Sequence, residues 1–61
     1  MLGFWARNLR IYLEIKPKEL AKLADVHPKA VDLLEKNQPL PLADKRKILA
    51  ALYAKKASKF G

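Results

Sequence analysis

The chain has no cysteine, which excludes disulfide staples and thiolate-held metals alike. It has one histidine, one serine and two glycines in 61 residues. No nucleophile–base set and no glycine-rich phosphate loop can be assembled from so few, so no enzyme chemistry is expected. His27 has no partner at metal-ligand spacing, and neither a metal nor another cofactor is expected. No apolar run approaches the length of a membrane span, and the opening MLGFWARNLRIYL carries charges and lacks a small-residue cleavage site. These absences predict a cytoplasmic protein with no signal peptide and no membrane partner. Serine and threonine are missing from every helix start, so weak capping and modest stability are expected.

Acidic residues are the other scarcity. Thirteen Lys and Arg against six Asp and Glu leave a net charge of +7, a balance that favours polyanions or an anionic membrane surface. The excess is uneven. Residues 1–24 carry +3, residues 25–42 carry −1, and residues 43–61 carry +5. A chain this short makes one domain, with a core near the lower limit for unaided folding. Residues 1–56 are read as that domain and 57–61 as a basic tail, frayed unless Phe60 docks.

Apolar periodicity predicts an all-α, compact domain of four helices. Residues 3–14 form the first, with Leu2, Trp5, Ala6, Leu9, Tyr12 and Leu13 within about a third of its circumference. Phe4 and Ile11 lie roughly opposite. That second apolar side has two readings: a neighbour within the domain, the last helix being the natural one, or a dimer or partner surface. Ile15-Lys16 reads as a joint, and Pro17 restarts the chain as a helix over 17–24. Asp25 falls where a left-handed residue is needed. Pro28 opens a third helix over 28–36, which Asn37 stops. Gln38-Pro39-Leu40-Pro41 is a stiff connector. The last helix runs from Leu42 to about Lys56, with Leu42, Ile48, Leu49, Leu52 and Tyr53 directed inward.

Helix, three-residue turn and helix, with Val26 pointing inward from the turn, is the helix-turn-helix pattern. Its second helix presents an outward arc when Val31 is set inward: Lys29, Asp32, Leu33 and Lys36. In a major groove Lys29 suits a guanine or a phosphate, Asp32 accepts from cytosine N4, and Leu33 meets a thymine methyl. His27, at the helix start, suits a phosphate or base contact. The competing reading of the same arc is a solvated face with one partner-binding leucine.

The run LEIKPKELAKLADVHPKAVDLLEKNQPLPLADKRKILAAL resembles the phage-repressor/Cro-type (Xre-like) helix-turn-helix domain over about residues 6–53. Leu20-Ala21, Val26, Val31, Glu35 and Arg10 match family positions, as do Pro41, Leu42, Ile48, Leu49 and Leu52 behind them. Three positions depart: Asp25 and Asn37 stand for glycines, and Pro17 for a DNA-contacting Gln. The resemblance implies a lambda-repressor-like fold and sequence-specific binding of double-stranded DNA in transcription regulation. It implies phosphate contacts from Lys16, Lys18 and Lys22 on one side and from Asn37, Gln38 and Arg46 on the other. It also implies an internal ion pair between Arg10 and Glu35. Many relatives dimerise through a fifth helix, so a homodimer here is expected to use another surface, such as Phe4/Ile11. The alternative function is a protein–protein interaction module on the same scaffold. A third reading, a basic amphipathic first helix lying on an anionic membrane, ranks below both because Trp5, Leu9 and Leu13 are needed for the core.

Overall fold

A computed structural model describes residues 2–60, and the side chains of residues 2–59. All four of its elements are helices: α1 (Leu2–Tyr12), α2 (Pro17–Ala24), α3 (Pro28–Glu35) and α4 (Leu42–Phe60). α2 packs on both α3 and α4, and α1 lies across α3 and α4. The radius of gyration is 10.3 Å, against about 10.5 Å for a compact chain of this length. The core is wholly aliphatic. Leu20, Val31, Ile48 and Leu52 are its fully enclosed large side chains, with Ala6, Ile15, Ala21, Ala24, Ala30 and Leu34 around them.

Two prolines set the helix starts. Pro17 and Pro28 occupy first-turn positions, where a missing N–H costs nothing. The stops share a different device. Glu14, Asp25 and Asn37 all adopt left-handed backbone, at φ 59°, 59° and 58°. At each, two N–H groups turn back to helix carbonyls: Glu14 to Ile11 and Ile15 to Arg10, Asp25 to Lys22 and Val26 to Ala21, Asn37 to Leu34 and Gln38 to Leu33. These are three Schellman closures in a chain that spends no glycine on them. A side chain in left-handed backbone is disfavoured by about 1–2 kcal/mol, and Glu lacks the tolerance of Asn and Asp. Glu14→Gly is therefore expected to raise stability by about 1 kcal/mol, read as a higher urea midpoint at unchanged slope. A lower midpoint would mean that the Glu14 side chain is needed for more than its backbone geometry.

Several expectations are corrected. α1 ends at Tyr12 rather than 14, because the Glu14 closure consumes the last turn. Ile15, read as a joint, is buried just after that closure. Leu42 and Tyr53 are both 57% exposed rather than inward. Leu40 of the connector packs on the core instead, and Tyr53 sits beside Trp5 with ring centroids 5.6 Å apart. α4 continues through Phe60 instead of stopping near Lys56. No glycine or proline intervenes there, and Lys59 Nζ lies 5.4 Å from the Tyr12 ring centroid. Docking of the Phe60 side chain lies outside the described residues. Capping is also better than the missing Ser and Thr suggest: His27 Nδ1 accepts from Lys29 N–H at 3.0 Å and caps α3. The first turn of α1 is served from across the fold, Gly3 N–H donating to Asn37 Oδ1 at 3.0 Å.

The second apolar side of α1 is not packed into the core and stands largely exposed. Phe4 is 66% exposed and Ile11 52%. α4 packs along the Trp5 and Tyr12 edge of α1 instead, where Trp5 meets Tyr53 and Tyr12 meets Lys59.

Candidate nucleic-acid interface

α2 and α3 form a rigid pair because the turn between them is held at both ends. The Asp25 closure fixes the exit from α2, Val26 is half-buried against the core, and His27 caps the entry to α3. Ala30, Val31 and Leu34 face inward from α3. Lys29, Asp32 and Lys36 stand exposed on its other side. Leu33 does not join them: it is half-buried, so a wholly outward leucine is corrected to a residue at the edge of the packed face. Asp32 and Lys36 are joined across one helical turn, Lys36 Nζ lying 3.2 Å from Asp32 Oδ2. This exposed pair contributes little to stability, but it offsets the negative charge that Asp32 would set against a phosphate.

The second pairing ties α1 to α3. Arg10 Nε donates to Glu35 Oε2 at 2.7 Å and Nη2 to Oε1 at 3.0 Å, a two-pronged contact with each side chain 11% exposed. A third donor, Arg10 Nη1, reaches the Ile15 carbonyl at 3.0 Å. The guanidinium thus holds three elements: its own helix, the α3 carboxylate, and the loop leading to α2. Among the described residues no buried side-chain polar atom lacks a partner.

The flanking cations are placed less uniformly. Lys16, at the start of α2, and Lys18 and Lys22 within it are exposed, as is Arg46 in the first turns of α4. Asn37 and Gln38 are different. Their N–H groups are engaged by the Leu34 and Leu33 carbonyls at 3.1 and 2.8 Å, and the Asn37 side chain is engaged by Gly3. Phosphate binding by that stretch of backbone is thereby corrected, because closing the helix uses the donors it would need. His27 likewise has Nδ1 committed to the cap, leaving only Nε2 for an outside contact. Arg7, not among the expected contacts, shares a shallow cleft with Asp32, Glu35 and Lys36 of α3. The only sequence signal for it is its place on the charged side of α1.

Charge divides sharply with the fold. Residues 14–41, which comprise α2, α3 and their connections, hold five basic and five acidic residues and are electroneutral. The whole net charge of +7 resides in α1, with Arg7 and Arg10, and in α4, with six cations against Asp44. Among the described residues no three acidic or histidine side chains group as metal ligands, and no helix is long and apolar enough to cross a membrane. No protein-family model, no curated protein and no solved structure matches the chain.

Proposed function

We propose that the chain is a sequence-specific DNA-binding domain of the helix-turn-helix type, acting in transcription regulation in the cytoplasm. The observation that carries this reading is the rigid α2–α3 pair, which leaves the Lys29, Asp32 and Lys36 side of α3 free to enter a major groove. Lys29 is the base reader at the start of α3, with Asp32 and Lys36 beside it. Lys16, Lys18 and Lys22 of α2 and Arg46 of α4 supply phosphate contacts that position the domain without reading sequence. Because residues 25–42 carry −1, attraction to DNA comes from the flanks, Lys16, Lys18 and Lys22 on one side and Arg46 on the other. The electroneutral pair also favours a second reading, in which α3 meets a protein partner and Leu33 is part of the contact.

Selection of bound sequences from a random duplex pool separates the two. Enrichment of a short motif is expected, and Lys29→Ala should relax preference at one position of it by about 1–3 kcal/mol. Recovery of a pool with no motif favours the protein-partner reading.

A further inference from the structure

Among the aromatic residues whose side chains are described, Phe4, Trp5, Tyr12 and Tyr53, none contributes to the aliphatic core, and all stand on α1 or α4. Phe4, Tyr12 and Tyr53 are more than half exposed, and Trp5 is partly so. Ile11 lies seven residues beyond Phe4, hence on the same face of α1, and is equally open. Trp5 and Tyr12 lie about 100° round α1 from Phe4 and Ile11 and meet Tyr53 and Lys59 there, so the exposed face of α1 borders α4 along that edge. An apolar patch of this kind on a small domain marks a binding face.

Charge selects its occupant. α1 has no acidic residue and α4 has one, Asp44, so the two helices that build the patch carry the entire +7. A second copy would bring like charge against like charge, which opposes self-association through this face. A single-stranded nucleic acid stacks on rings, and Ile11 offers none. Protein interfaces are rich in Arg and poor in Lys. With Arg10 committed to Glu35, five of the seven remaining cations on α1 and α4 are lysines. Lys59 stands over the Tyr12 ring, and Lys55 and Lys59 also border Glu14 and Glu19 across a shallow cleft. Exposed rings and aliphatic side chains on helices whose free cations are mostly lysines match a bilayer surface. Aromatic rings settle at the headgroup level there, and lysine stems lie along apolar matter with the ammonium in the headgroups.

We propose that the α1/α4 face binds the surface of an anionic lipid bilayer, a peripheral contact that needs no spanning helix and replaces the expectation of no membrane partner. Phe4, Ile11 and Trp5 enter the headgroup boundary, and Lys55, Lys56 and Lys59 supply the attraction. This surface is distinct from the outward side of α3, so the inference stands apart from DNA reading.

Trp5 is the one tryptophan of the chain and lies in the patch, so its emission reports the event. The 61-residue chain is titrated with phosphatidylcholine vesicles and with vesicles also containing phosphatidylglycerol, followed by Trp5 fluorescence and co-sedimentation. A shift of Trp5 emission to shorter wavelength and sedimentation with the anionic vesicles alone are expected. Each of Lys55→Gln, Lys56→Gln and Lys59→Gln should weaken the anionic partition about fivefold. Phe4→Ser/Ile11→Ser should lower it at least tenfold while far-UV circular dichroism stays that of wild type. No binding to either vesicle, equal binding to both, or capture of an acidic amphipathic peptide without vesicle binding would overturn the proposal. Should Phe4→Ser/Ile11→Ser misfold, the lysine series decides it: wild-type partition in all three variants would overturn it equally.

Discussion

Arg10→Ala is expected to destabilise the domain by about 3–5 kcal/mol, the cost of leaving a nearly dry carboxylate without its partner. Glu35 is 11% exposed and both of its oxygens are bonded to Arg10, at 2.7 and 3.0 Å. Removing the guanidinium also strands the Ile15 carbonyl, which it meets at 3.0 Å where α1 turns towards α2. A domain of this size has about 3–9 kcal/mol to lose in total, so the variant should be largely unfolded near room temperature. Replacing both partners by apolar residues of similar volume, Arg10→Met with Glu35→Leu, removes the charge burial along with the pair and should recover most of the loss. Urea titrations followed by circular dichroism measure both. A cost below about 1 kcal/mol for Arg10→Ala would equate the clamp with an ordinary surface ion pair, and the account of α1–α3 docking would be wrong.

Gly3→Ala should also destabilise, although alanine is the better helix former by about 1 kcal/mol. A Cβ on Gly3 would lie 2.5 Å from the Leu34 carbonyl oxygen and 2.7 Å from Asn37 Oδ1. The first is backbone in the last turn of α3 and cannot swing aside. The second is the acceptor for Gly3 N–H. α1 must therefore back away from α3, losing its cap and the close approach together, for a net cost of about 1–3 kcal/mol. Asn8→Ala, on an exposed position of the same helix, should change the urea midpoint little. Equal midpoints for Gly3→Ala and wild type would contradict this helix contact.

How much of this was legible follows from where the information sits. The bounds of α2 and α3 were readable because Pro17 and Pro28 announce starts, and Asp25 and Asn37 are among the few residues that stop helices in left-handed backbone. Leu20, Val31, Ile48 and Leu52 followed from helical spacing. The end of α4 was not readable, since Ala57-Ser58-Lys59 contains no breaker and its contact with Tyr12 comes from α1. Spacing alone also cannot tell which of Leu40 and Leu42 goes inward, because the connector between α3 and α4 sets the depth. Gly3, the His27 cap and the Phe4/Ile11 exposure depend on which helices pass near them. A glycine inside a predicted helix was the only signal for the first of these. In the candidate interface, exposure of Lys29, Asp32 and Lys36 was predictable from the wheel. Commitment of the Asn37 and Gln38 N–H groups to helix closure was not, since it arises from the backbone geometry of the stop.

The reading of DNA by α3 is tested most directly by equilibrium titration of a selected duplex and its scrambled counterpart over a range of salt concentrations. Each cation–phosphate contact contributes about 0.9 to the log–log salt slope. Lys18→Ala and Arg46→Ala should weaken binding to both duplexes alike and flatten that slope by about one unit each. Lys29→Ala should instead narrow the gap between the two duplexes, bringing the selected one towards the scrambled one. If wild type holds both duplexes equally, and Lys29→Ala behaves as Arg46→Ala does, helix α3 does not read sequence and the central claim fails.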